Sequence, residues 1–115
     1  MTRLIVCSLA IASLASATTA FAAGMLTDPK GMTLYTFDKD KGKISSCYDK
    51  CAKLWPPYAV QKGEKMGKDW AKTKRKDGSM QWTYDGHPLY YYANDKKAGD
   101  ATGDGKFGVW HVVKE

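Results

Sequence analysis

The sequence predicts a mainly β fold, a small antiparallel domain made of two tandem hairpin-based repeats with one short helix. Three observations predict it. The chain overlays on itself without a gap at an offset of 55 residues, with eight identities in the 31 pairs from Met25–Trp55 to Met80–Trp110. Short runs that alternate apolar and polar residues end at Asp77-Gly78 and Asp85-Gly86, the dipeptides that favour tight hairpin turns. Only one stretch, Ser46 to Leu54, has a helix's punctuation, with a serine before it and Pro56-Pro57 after it.

The elements follow in chain order. Residues 1–22 read as a secretory signal peptide: Arg3, an apolar run from Leu4 to Ala15, then small residues ending in Ala20-Phe21-Ala22. The apolar core is shorter than the roughly 20 residues of a membrane span, so we expect cleavage after Ala22 and no membrane span. Residues 23–115 then form a single domain with repeats at about 25–58 and 80–113. Met25-Leu26-Thr27 and Thr33–Phe37 flank the turn-rich Asp28-Pro29-Lys30-Gly31 and read as a hairpin. Trp70–Arg75 and Ser79–Tyr84 alternate around Asp77-Gly78. His87–Tyr92 reads as a further strand, at an edge because of Pro88, and Phe107–Val113 as the last one. The stretch Gln61–Asp69 is polar and is expected to be mobile.

The repeat has a chemical pattern. Gly31-x-x-Leu34-Tyr35-x-Phe37-x-x-Asp40 lies over Gly86-x-x-Leu89-Tyr90-x-Tyr92-x-x-Asp95, and Trp55 lies over Trp110. Strand alternation sets Tyr35 and Phe37 on one face and Leu34 and Thr36 on the other, and it sorts Tyr90 and Tyr92 from Leu89 and Tyr91 in the same way. Aromatics at matched places read first as core, with a ligand cleft as the other reading. Asp40 and Asp95 fall where the chain leaves each strand. We expect them to cap turns or to accept a hydrogen bond from a Tyr or Trp donor.

Composition narrows the function classes. Arg3 alone of the 18 basic residues lies in the leader, so the mature chain keeps 17 basic against 12 acidic residues, a net charge of +5. A basic surface suits anionic partners, but the lysines are scattered. The densest run, Lys72-Thr73-Lys74-Arg75-Lys76, alternates like the wet face of a strand. An exported protein also rarely meets nucleic acid, so no nucleic-acid partner is expected.

Cys47 and Cys51 are the two cysteines of the mature chain, an even count that suits a disulfide in an oxidising compartment. Helical spacing would put their Cα atoms about 6 Å apart, within bridging range. Closing so short a loop is worth about 2 kcal/mol on chain entropy. The three-residue spacing is not the thioredoxin type, so a structural staple is the first reading and a redox or metal role the second. His87 and His111 are the only histidines. With sulfur or phenol ligands they could assemble a copper site, but 24 residues apart they show no ligand spacing. The Gly- and Asp-rich loop Asp95–Lys106 lacks the EF-hand order and reads as Asx-type turns. No Ser-His-acid arrangement and no phosphate loop stands out, so the chain is not expected to be an enzyme or to carry a cofactor.

These residues resemble a bacterial family described as a secreted repeat of unknown function, also as predicted lipoproteins with a Tyr-x-aromatic-x-x-Asp motif. The resemblance rests on Gly31–Phe37, Cys47–Pro57, Gln81–Tyr90 and Gly103–His111 and covers nearly all of the mature chain. It implies an envelope location and no established activity. The chain departs from the lipoprotein label, because no cysteine stands near the cleavage site and no lipid anchor is therefore expected. The expectation is a periplasmic or secreted module, non-catalytic, that binds a small ligand or an envelope component or serves structure. The alternatives are a periplasmic metal-binding protein using His87 and His111 and a thiol redox protein using Cys47 and Cys51.

Overall fold

Two Asp-Gly pairs shape the centre of the chain. In the computed structural model, which describes residues 24–114, Asp85 (φ 52°) and Gly86 (φ 81°) both adopt left-handed backbone, as a two-residue hairpin turn requires. Gly78 alone does so at the other turn, where Arg75 N–H bonds Ser79 O at 2.8 Å. The proposed leader and its cleavage site lie outside the described residues. The elements are β1 (Tyr35–Phe37), α1 (Lys50–Leu54), β2 (Trp70–Lys74), β3 (Met80–Tyr84), β4 (His87–Pro88), a 3-10 turn at Lys106–Gly108 and β5 (Trp110–Val112). β1 pairs with β5, and β2-β3-β4 form a second sheet, with every pairing antiparallel. The fold is mainly β, as its alternation predicts.

β1 of the first sheet is tied to the chain just after β4 of the second. Tyr35 and Tyr90, equivalent in the repeat, exchange both backbone hydrogen bonds, at 2.8 and 3.0 Å. Each strand segment separates two apolar clusters. Tyr35 and Tyr90 join Cys47, Trp55, Tyr92 and Trp110 on one side, and Leu34 and Leu89 join Leu26, Tyr58 and Trp82 on the other. Side-chain alternation thus sorts each repeat's strand between two cores, and both faces of these segments are buried.

Several elements differ from expectation. The helix begins at Lys50 rather than Ser46, and Ser45 and Ser46 do not cap it. Ser46 N–H is taken by Asp40 Oδ1 at 2.8 Å, Ser45 Oγ sits against Tyr90, and Asp49 (φ 52°) cannot continue a helix backwards. The expected strand His87–Tyr92 is regular only over His87–Pro88, because the chain changes partners. His87 and Pro88 lie against β3, after which Tyr90 pairs with Tyr35 and Tyr91 N–H reaches Pro56 O. The last strand starts at Trp110, since a tight turn between Gly105 and Gly108 throws Phe107 (φ 52°, 79 % exposed) outward. The stretch Gln61–Asp69 is not purely a solvated loop: Glu64 accepts from Trp82 Nε1–H at 3.1 Å, and Met66 packs on the second core. In the basic run, Lys72 and Lys74 are exposed as expected, but Arg75 is buried.

Candidate functional site

The repeated residues meet in one constellation. Phe37, Trp110, Trp55 and Tyr92 form a four-ring stack with successive centroids 4.1, 3.9 and 4.2 Å apart. The order is pseudo-symmetric. The two equivalent tryptophans lie face to face at its centre, 2° from parallel, and the equivalent Phe37 and Tyr92 cap its ends. The other two motif aromatics flank it edge-on, Tyr35 against Trp55 at 5.3 Å and Tyr90 against Trp110 at 5.2 Å. Offset-stacked and T-shaped contacts are both favourable ring geometries.

The aspartates close the figure crosswise. Tyr35 OH donates to Asp95 Oδ2 at 2.7 Å, and Tyr90 OH donates to Asp40 Oδ2 at 2.8 Å. Each repeat's tyrosine is thus answered by the other repeat's aspartate. The second oxygen of each carboxylate holds the turn after its own strand. Asp40 Oδ1 accepts Ser46 N–H, and Asp95 Oδ1 accepts Thr102 N–H and Oγ1–H at 2.9 and 2.6 Å. Both sequence readings of these acids, turn cap and phenol acceptor, are met in the same group. Burial is the main cause that raises the Tyr35 and Tyr90 phenols and the Asp40 carboxyl above their ordinary values, with the facing carboxylate adding to the rise at both tyrosines.

Tyr35 and Tyr90 have no exposed surface, and Trp55, Trp110, Tyr92 and Asp95 are also buried, while Phe37 and Asp40 sit at the margin. The motif is therefore a closed core and not an open cleft.

The cysteines are bridged, with Cα atoms 5.2 Å apart. Cys47 is sealed against the stack, and Cys51 is half-buried. His111 stands on β5 with Nε2 2.8 Å from Asp38 Oδ2, while the exposed His87 stands on β4, in the other sheet. Among the described residues no group of three or more His, Cys, Asp or Glu gathers in metal-binding geometry. In the loop after Asp95 the acids bond differently from the Asx-type turns expected: Asp100 Oδ2 accepts Lys96 and Lys97 N–H, behind it in the chain, and Asp104 Oδ1 accepts Val112 N–H eight residues on, whereas an Asx turn bonds two residues ahead.

Arg75 was not legible as a site residue. Its guanidinium donates to Ser45 Oγ (3.0 Å), Gln81 Oε1 (2.8 Å) and Cys47 O (2.6 Å) and lies 4.2 Å over the Tyr48 ring. Ser45 Oγ in turn contacts Tyr90 OH, so the buried cation joins the Tyr90–Asp40 pair through one hydroxyl. The only signal was strand parity, since a buried Thr73 puts Arg75 on the inward side too.

The geometry defines a duplicated β-rich domain whose halves complete each other through one aromatic stack and two crossed Tyr–Asp pairs. The chain belongs to the family of secreted repeats of unknown function, whose model matches residues 18–59 and 72–114. No curated protein and no solved structure shows a significant match to it. Among the described residues no helix is long and apolar enough to cross a membrane.

Proposed function

We propose that this protein is a periplasmic, non-catalytic module in which the repeated residues form a rigid body and recognition takes place on its periphery. The observation that carries this reading is the mutual satisfaction of the repeated groups. Both phenols and both carboxylates of the motif are spent on each other and on adjacent turns, within a core or, for Asp40, at its margin. Catalytic groups need access to substrate. Groups that reappear in each repeat to complete the other repeat serve the fold. The secreted character of the family and the leader sequence support export, and the disulfide suits an oxidising compartment.

The periphery offers contact residues outside the repeated set, notably the exposed Phe107 and Ile44. Fractionation of the native host with N-terminal sequencing tests the location. A soluble periplasmic chain beginning at Ala23 is expected, and a cytosolic chain retaining residues 1–22 would refute it. In-cell photocrosslinking from position 107 or 44 tests the recognition face. Capture of envelope components is expected. A cellular role abolished by Tyr35→Phe at a temperature where that variant stays folded would instead place function in the core.

A further inference from the structure

A cavity of about 370 Å³ opens on the side of the molecule formed by the first hairpin turn, the chain after Pro57 and the Gln61–Glu64 turn. Its size suits a small-molecule site. Two carboxylates, Asp28 and Glu64, and two phenols, Tyr58 and Tyr91, line it. Tyr58 is 5 % exposed, and its hydroxyl is buried with no hydrogen-bond partner among the described residues. A buried hydroxyl in that condition costs free energy unless something else answers it, and here it belongs to a residue of the cavity wall, with its oxygen covered in the free protein.

The other polar groups are held in place. Asp28 Oδ1 accepts Lys30 and Met32 N–H, and its Oδ2 accepts Tyr91 O–H at 2.8 Å. Glu64 Oε1 accepts both Gln61 N–H and Trp82 Nε1–H, which fixes the carboxylate in the wall. The wall is electronegative on a basic protein. Burial first, then the charges of Glu64 and Asp28, push the Tyr58 phenol up to about 12, and burial followed by the Asp28 hydrogen bond raises Tyr91. Among the described residues Lys30 is the one cation on the rim, and it is exposed.

None of these four residues recurs at the matched place in the other repeat, and Glu64 lies between the repeats. The offset of 55 sets Thr83 opposite Asp28, Val113 opposite Tyr58 and Thr36 opposite Tyr91. Symmetry of the fold does not require them.

From the unanswered Tyr58 hydroxyl and the two carboxylates of the wall we infer that this cavity binds a small organic ammonium ion. The ammonium would lie toward Glu64 and Asp28, and its carbon chain against the Pro57, Tyr58 and Tyr91 surfaces. Carboxylates and phenol oxygens all accept from an ammonium, and ring faces attract cations. A hard metal ion fits less well, since it wants six or more oxygens and both Asp28 oxygens are already engaged. The inference extends the binding reading above with a ligand class and rests on it.

Calorimetric titration of the full mature chain with putrescine, against the uncharged 1,4-butanediol, tests the site. Saturable binding of the diamine is expected, at least tenfold tighter than the diol and weakened at least tenfold by Glu64→Gln. Tyr58→Phe is expected to weaken the diamine while leaving the free protein's Tm unchanged or raised, because no protein partner is lost. Equal binding of diol and diamine, unchanged affinity in Glu64→Gln with a native near-ultraviolet spectrum, or no saturable heat would overturn the proposal. A marked fall in Tm for Tyr58→Phe would overturn it too, by showing that the hydroxyl has a partner within the protein. Each of these leaves the periplasmic scaffold reading standing, because fractionation and crosslinking judge that reading separately.

Discussion

Tyr35 has one hydroxyl with two duties. It donates to Asp95 and accepts Gly103 N–H at 3.1 Å, both in buried surroundings. Removing it strands an amide and takes one donor from a carboxylate that is 6 % exposed. Tyr35→Phe is therefore expected to cost about 2 kcal/mol, read as a lower urea midpoint at unchanged slope. A loss under ~0.5 kcal/mol would show that the crossed pair is not what holds the halves together. The tyrosine and the aspartate were both visible as repeated residues. Their exchange between repeats was not, because a linear pattern says which residues recur but not which copy answers which. Arg75 was hidden for a related reason: a guanidinium in a lysine-rich run looks solvated until Ser45, Gln81 and the Cys47 carbonyl are folded around it.

The elements are short, and their stability comes from what they press against. Gly103 shows this in the loop after Asp95: a Cβ there would lie 2.6 Å from the Trp55 ring and 2.9 Å from Tyr92. Gly103→Ala is expected to destabilise by about 1–3 kcal/mol through overpacking of the stack. Gly67→Ala, where a Cβ meets nothing within 4 Å, should be near neutral in the same thermal melts. The disulfide staples the approach to α1 and not the stack itself. Reduction is expected to cost about 2 kcal/mol and to leave the near-ultraviolet aromatic spectrum native, and outright unfolding at room temperature would contradict this. Hairpins and turn residues were legible at this scale, since alternation and Asp-Gly chemistry are local. The ends of the helix and of the last two strands were not. Asp40 and Tyr90 divert Ser46 and Ser45 from the helix start, and Tyr35 and Pro56 take over the backbone bonds of the chain after Pro88.

Across the whole molecule, burial keeps four phenols neutral beyond their ordinary range. Tyr58 is raised to about 12, and Tyr35, Tyr90 and Tyr91 are raised further. Their unfolded value is near 10, so the native state keeps these protons where the unfolded chain gives them up. Their contribution to stability is intact below about pH 10 and is lost as pH rises through the folded values. Alkaline unfolding is the expected outcome, with tyrosinate absorbance and loss of the aromatic circular dichroism rising together. Tyrosinate that forms fully while the fold persists would show the hydroxyls to be accessible. The crossed pairs also make each half insufficient, because Phe37 stacks on Trp110 and Tyr35 bonds Asp95. Residues 23–60 expressed alone should lack native aromatic ellipticity and recover it when mixed with residues 61–115. Native ellipticity in the fragment alone would mean that the half closes its own core.

The sequence by itself determined the duplication, the β class, the turn positions and the family, because each rests on local periodicity or on identity at a constant spacing. Tertiary structure decided the rest. It turned the repeated Tyr, Asp and Trp from a candidate cleft into a shared core, since only closing the two halves together can satisfy both phenols and stack both indoles. It also brought Asp28, Tyr58, Glu64 and Tyr91 around one cavity from three separate stretches of chain, a meeting that no spacing in the sequence encodes.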